Sequence, residues 1–503
     1  MMEKISKVAF EEALNMTGFS RYNLCLFLLC SSIITGMGFE LFSISYLVVA
    51  SACELNTTNA QQGIIASVPL AGVIATSHFW GYLADTRGRR KILMLSMGMG
   101  YITGTLASFS PNWIVLLLFK FISSASVAGA FALSLTLLSE STPMARRSSL
   151  VIISTSIFLM ATGSMAVIAM PILPLRFSYY IPVLDIHFNS WRLLGLIFAL
   201  PCLVSAIGVA CAYESPKYLL TVGRKEEALE VLRGMYVMNT GKSGDSYAVD
   251  SLIADEDSIS TLHMGFFRSM IAQTLPMLRP PLLKHTILLA CLFVTTYICI
   301  HSFLVWVPFI VNAFMTSVLN GNSQLSVCEM IKIMQNSTIT EETTEECSMN
   351  TFAMTMVFCI QMILAVCNGV VSILVNYVSR KKIFISIQLI SGTAALCISS
   401  SPFWGLTAVL FLTFLSGIFN FGFLSSYAVD IFPTYVKAMA VCLTLMVGRG
   451  SAIVGVNILK YLLDNNCDNV FYIFGSIACL GGIVGFLLPS DATILKQNKI
   501  SKS

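Results

Sequence analysis

The sequence predicts an all-α membrane protein, with twelve transmembrane helices in two pseudo-symmetric six-helix bundles. Three observations carry that expectation. Charged residues make up only 11% of the chain and AVILMFWYC residues 56%, against roughly 25% and 45–50% in soluble domains. Apolar runs of roughly 18–29 residues recur along the chain, each long enough to cross a bilayer as a helix. The chain also repeats itself. GYLADTRGRRK, from Gly81 to Lys91, returns in worn form as SILVNYVSRKK, from Ser372 to Lys382. Glu140, Pro143 and Arg147 recur, almost equally displaced, as Asp430, Pro433 and Lys437. Two unrelated motifs shifted together point to a duplicated unit. Parallel membrane repeats are an architecture of secondary transporters, with the binding site between the halves.

The runs lie near 22–50, 62–84, 92–110, 114–138, 150–172, 192–213, 285–313, 351–376, 383–400, 404–427, 438–460 and 469–489. Each must be helical, because lipid offers backbone N–H and C=O groups no partner. The expected divisions are an N-terminal segment 1–21, a bundle 22–213, a linker 214–284, a second bundle 285–489 with a long loop 314–350, and a tail 490–503. Most of the 30 Lys and Arg residues fall in alternate connections, among them Arg87, Arg89, Arg90, Lys91, Arg146, Arg147, Arg380, Lys381 and Lys382. By the positive-inside rule those connections and both termini are cytoplasmic. Glu3, Glu11 and Glu12 precede any apolar run, which is unlike a signal peptide. In the linker, GRKEEALEVLRGMY places Leu229, Leu232 and Tyr236 at helical spacing, beside Ala228, Val231 and Met235. It reads as an amphipathic helix under the bundle or as a docking site for a partner.

Within GYLADTRGRRK, Gly81 and Gly88 permit close packing and tight turning. Asp85 stands where a helix meets the cytoplasm, with Arg89 four residues on and Arg90 and Lys91 beside it. The set reads either as a charged latch between helices or as plain topology, the bases holding the loop inside. The motif resembles the signature of the major facilitator superfamily between its second and third spans. That resemblance implies a lock on the outward-facing state. The second copy carries Asn376 in place of the acid and Ser379 in place of the second glycine, so a latch there is expected to be weaker.

YESPKYLLTVGRKEEALEVLRGMY, after the sixth span, is similar to a segment of sugar and organic-ion porters. With FEEALNMTGFSRYN, GFELFSISYLV and VDIFPTYVKAMA, it looks like the synaptic vesicle glycoprotein 2-like group, in the form abundant in insects. The connection 314–350 is too short for the large luminal domain of the vesicle glycoproteins, so their vesicle-specific roles are not implied.

Glu40 is the one carboxylate well inside a span of the first half. A central acid costs roughly 2.5–3.5 kcal/mol on insertion scales and must face a cavity or a partner. It reads as a site for a cationic solute or a coupled proton, or as a structural ion pair with a residue such as Arg449. The vesicle glycoproteins carry a further acid where this chain has Met37, which weakens the analogy to two-carboxylate coupling. Lys120 stands where the family usually has an arginine, and either keeps its charge or snorkels to the interface. Arg449, deep in the eleventh span, reads as an anion contact or as a partner of Glu140, Asp430 or Glu40. Glu140 with Arg147, and Asp430 with Lys437, suggest salt bridges that break and re-form during rocking. His301 and Trp306 are further candidates to line a central cavity.

On the outer side Asn336 and Asn56 fit glycosylation acceptors, and Cys328 and Cys347 flank Asn336 as a candidate disulfide. No metal spacing, Walker loop or nucleophile elbow is found, so neither metal, cofactor, enzymatic activity nor nucleic acid is expected. The reading is a secondary active or facilitative transporter of a small organic solute by alternating access, monomeric, in the plasma or a vesicle membrane, with a proton as candidate coupling ion. The alternative is a non-transporting receptor or trafficking protein that kept the fold.

Overall fold

The computed structural model describes residues 8–252, 274–280, 282–321, 325–337, 350–375, 377–401, 403–432 and 437–489. All twelve expected runs are helical where described, and among the described residues ten helices are long and apolar enough to cross a membrane. In the first half, span 1 is Arg21–Ala50, span 2 Asn59–Arg87, span 4 Trp113–Glu140 and span 6 Ser190–Cys211. In the second, span 7 is Leu283–Leu319, span 8 Thr351–Leu374, span 9 Arg380–Ile398, span 10 Trp404–Ala428, span 11 Ala440–Asn465 and span 12 Cys467–Gly485. Span 3, Arg89–Ala107, opens on three bases. Span 5 is Met144–Ile172.

Local chemistry sets several ends. The Thr58 side chain accepts from the Gln61 N–H while the Gln61 side chain accepts from the Thr58 N–H, a capping box that starts span 2. Gly88, at φ +100°, turns the chain from span 2 into span 3 in a conformation that costs other residues dearly. Span 7 carries one π-helical turn, Tyr297–His301, a local irregularity common at functional sites. A short hairpin, Tyr179–Ile181 paired antiparallel with Ile186–Phe188, joins spans 5 and 6.

Two buried clusters describe how the halves meet. One is confined to the first half and the linker, joining Leu14, Tyr22, Trp80 and Leu137 to Leu232 and Tyr247. The other is continuous across both halves, running from Phe39, Tyr46 and Leu47 to Phe303 and Val311. Apolar contact between the halves is therefore concentrated at the end away from the linker, here called the distal end. At the linker end the first half keeps its own core.

The linker is bound to the first half. Its helix Lys225–Thr240 buries Ala228, Leu232 and Met235, while Leu229 and Tyr236 lie partly buried at the cluster's edge. Asn239 accepts from the Tyr22 N–H at 3.0 Å and donates to Thr17, Gly18 and Asn23. The Tyr247 hydroxyl donates to the Ala13 carbonyl at 2.7 Å.

Candidate transport site and latch

The candidate latch residues gather where span 2 turns into span 3. Arg89 lies 3.2 Å from Asp85 and 3.3 Å from Glu140 at the end of span 4. The two acids differ sharply: the Asp85 side chain is 72% exposed and that of Glu140 13%. Glu140 is thus the anchor of Arg89, and it also accepts from the Ser215 hydroxyl at 2.5 Å. The Arg89 guanidinium sits 5.0 Å from the Tyr218 ring centre. Burial first, and then the Glu214 carboxylate, push the Tyr218 phenol above its ordinary range. Glu214, to which the sequence reading gave no role, accepts from the Arg90 N–H at 3.0 Å and the Ser215 N–H at 2.9 Å. It caps span 3 where the helix N-terminus is positive, and a Cβ on Gly88 would strike it. The signal was in the ESP of YESPKY. The Arg90 side chain is engaged with the Val209 and Ala210 carbonyls at the end of span 6.

Three expectations are corrected here. Gly81 has open space around it, so only Gly88 serves a close approach. Arg147 pairs with Glu11 of the N-terminal helix at 3.0 Å, not with Glu140, because Arg89 already occupies that acid. Arg449 likewise does not reach Glu140. The side chains of Asp430 and Lys437 lie outside the described residues.

Glu40 is closed off. Its carboxylate accepts from the Lys120 ammonium at 3.0 Å and the Ser123 hydroxyl at 2.5 Å, and Lys120 also donates to Ser43 at 2.8 Å. Glu40 and Lys120 are 1% and 2% exposed, and Gly104 of span 3 leaves the room for the carboxylate. Lys120 therefore does not snorkel: a buried partner competes successfully with the interface. The Glu40 ion pair is with Lys120 rather than Arg449.

Arg449 stands instead on the seam between the halves. It donates across to the Ser77 hydroxyl of span 2 at 3.3 Å, and lies close enough to His78, Tyr297 and His301 to act on their charge. No carboxylate is within ion-pair distance of it among the described residues. His301, at the π-helical turn, stacks on Tyr297 at 5.4 Å and meets Phe42 of span 1 at 5.7 Å. Toward the distal end of the same seam, Asn457 donates to Ser67 at 3.0 Å. Between spans 1, 5, 7, 8 and 10 lies a cavity of about 30 Å³, lined by Phe42, Ser45, Tyr46, Phe158, Thr162 and Gln361 among others. The buried Ser45 hydroxyl has no hydrogen-bond partner among the described residues. Trp306 does not line it, being fully buried and donating to the Val456 carbonyl at 3.2 Å.

At the distal end Cys328 is bonded to Cys467. This corrects the expected Cys328–Cys347 bridge, since folding brings the loop helix Val327–Ser337 against the junction of spans 11 and 12. Lys332 and Asp468 pair at 3.1 Å beside it. Cys347 lies outside the described residues, and Cys53 is also disulfide-bonded. Asn56 is exposed, at φ +47° before the capping box. Asn336 falls in the last turn of the loop helix, its side chain outside the described residues.

Two six-helix bundles meeting along spans 1, 2, 5, 7, 8 and 11, with polar and cationic groups on the seam, define a secondary transporter. A profile described as Major Facilitator Superfamily matches residues 28–334, and the chain belongs to that superfamily. It is 24% identical over 495 residues to svop-1 of Caenorhabditis elegans, covering 96% of this chain and 85% of that one. It is 24% identical over 325 residues to synaptic vesicle glycoprotein 2B of Mus musculus, covering 61% of this chain and 47% of that protein, so it spans about half the relative's length. Organic cation/carnitine transporter 7 of Arabidopsis thaliana is 24% identical over 349 residues, 62% of this chain and 61% of its own. The inward-open xylose transporter XylE from E. coli superposes with a TM-score of 0.67 at 14% identity, over 95% of this chain and 100% of that one. Its relatives include vesicle glycoprotein 2-like and organic-cation transporters, so the chain resembles that branch, and its function is transmembrane solute transport by alternating access.

Proposed function

We propose that the transported solute is a small organic molecule bearing an anionic group, and that Arg449 holds that group between the halves. One observation carries the reading: a cation on span 11, at the seam, whose hydrogen bond across it goes to a hydroxyl rather than a carboxylate. An uncompensated guanidinium in a membrane bundle is costly unless a cavity or a ligand serves it, and its fork suits a carboxylate or sulfonate. Ser77, His78 and His301 line the same approach as hydrogen-bonding groups. The name of the Arabidopsis relative includes carnitine, a zwitterion with one carboxylate, which is compatible chemistry.

In this reading the linker end is cytoplasmic, because the bases of the 81–91 loop and the linker gather there. The membrane is a vesicle or the plasma membrane. Both halves of the site belong to one chain, so a monomer suffices. The proposed coupling ion is a proton, with Glu40 as its candidate carrier. Protonation there would release Lys120 and loosen spans 1 and 4.

The test is uptake into liposomes of the purified chain, over a panel of carboxylates, zwitterions and uncharged analogues. Arg449→Gln is expected to raise KM for anionic solutes at least about tenfold, the weight of one charge-assisted hydrogen bond, and Arg449→Lys to recover part of it. Unchanged KM in Arg449→Gln, or transport of uncharged analogues alone, overturns the assignment. No uptake of any anionic or zwitterionic compound above empty liposomes likewise overturns the assignment of an anionic solute.

A further inference from the structure

A cleft of about 540 Å³ opens at the linker end, between the 81–91 loop, the end of span 6 and the linker helix Lys225–Thr240. Five cations line it: Arg87, Arg90 and Lys91 from the loop, and Arg224 and Arg233 from the linker. Three acids share the wall, and two of them are committed. Glu214 caps span 3 through the Arg90 and Ser215 N–H groups, and Glu227 pairs with Arg224. Glu230 is the third. Arg90 is spent on the span 6 carbonyls. That leaves Arg87, Lys91 and Arg233 with no ion-pair partner among the described residues. They approach from two separate elements onto one concave surface. Like charges converge this way at a cost that an anionic ligand relieves, and three convergent donors exceed what a single carboxylate needs.

We propose that this cleft binds a multiply phosphorylated anion, which bridges the loop to the linker through Arg87, Lys91 and Arg233. The site is separate from the solute path, which runs between the halves, whereas every residue of the cleft belongs to the first half or the linker. Its neighbour is the latch: Arg87 lies two residues from both Asp85 and Arg89, and Tyr218 both lines the cleft and stacks on Arg89. A bound phosphate group would therefore fix the loop that carries Asp85. The phosphates have two sources, a lipid headgroup at the membrane surface or a soluble polyphosphate. The exposed Val237 and Met238 on the linker helix, with Val237 at the cleft wall, offer apolar surface that suits a lipid's acyl chain.

The experiment uses the full-length chain in nanodiscs of neutral lipid, with three probes: short-chain phosphatidylinositol 4,5-bisphosphate, inositol trisphosphate and inorganic phosphate. Binding is read by thermophoresis at two salt concentrations. The wild type is expected to bind the lipid probe, the soluble trisphosphate or both, more tightly than inorganic phosphate. The triple variant Arg87→Gln, Lys91→Gln, Arg233→Gln should weaken that binding at least tenfold. The control removes equal charge elsewhere, at Lys217, Lys225 and Lys242, and should leave affinity within about twofold. Lipid binding alone assigns the source to a headgroup, and binding of both probes assigns it to the phosphates themselves. Equal loss in the two triple variants means diffuse surface charge and overturns the site. So does the absence of binding by either inositol probe in a wild-type sample that melts cooperatively.

Discussion

Lys120 and Glu40, eighty residues apart in the chain, meet at 3.0 Å with almost no exposure. The pair fastens span 4 to span 1, and Ser43 and Ser123 complete its hydrogen bonds. Breaking one partner of a buried pair costs about 3–5 kcal/mol, because the other charge is left unpaired. Glu40→Gln is therefore expected to lower the melting temperature in detergent markedly. Glu40→Gln combined with Lys120→Met should recover most of the loss. If the double variant melts no higher than the single one, the pair is not what the site contributes. The double variant also isolates coupling. Should it accumulate solute with the wild-type pH profile, Glu40 carries no proton for transport.

Asp85 is the exposed member of its cluster, and Glu140 the anchored one. The distal end holds the continuous core in this arrangement, and the proposed latch role places the work of Asp85 in the opposite one, with the linker end closed. Asp85→Asn is expected to raise the maleimide labelling rate of Cys442, on the linker side of Arg449 in span 11, by several-fold, read on the peptide by mass spectrometry. Labelling at the wild-type rate in a normally expressed variant removes the latch role.

Gly88→Ala tests the corner between spans 2 and 3. A side chain at φ +100° is strained, and its Cβ would collide with the carboxylate that caps span 3. A loss of about 1–2 kcal/mol follows from the backbone alone, and displacing Glu214 adds to it. Gly81→Ala, in open space, should melt within about 0.5 kcal/mol of wild type, as uncrowded substitutions usually do. Equal effects at the two glycines would contradict the geometry.

The distal loop makes a covalent prediction. Non-reducing peptide mapping should recover Cys328 joined to Cys467. Cys328→Ser should destabilise the protein by about 2–4 kcal/mol, the usual worth of a bridge closing a long loop. Recovery of a Cys328–Cys347 peptide instead would show the helix Val327–Ser337 docked elsewhere.

Much of the fold was legible in the sequence. Lipid forces every long apolar run into a helix, so the twelve spans, the duplicated halves and the special place of Gly88 followed from composition and motif alone. The ion pairs were not legible in that way. The sequence marked Glu40, Lys120, Arg147 and Arg449 as charges that needed explaining, but a span can turn any face inward and slide by a turn against its neighbour. Packing decided that Lys120 meets Glu40, that Arg147 reaches back to Glu11, and that Arg449 is left on the seam. The bridge of Cys328 to Cys467 was hidden for the same reason. Its sulfurs are 139 residues apart, and sequence proximity favoured Cys347 until the loop helix docked on spans 11 and 12. The sequence by itself determined which segments are helices and which charges are too costly to be idle. Only the tertiary structure decided who neutralises whom, because pairing depends on distances of a few ångströms between helices that no local pattern encodes.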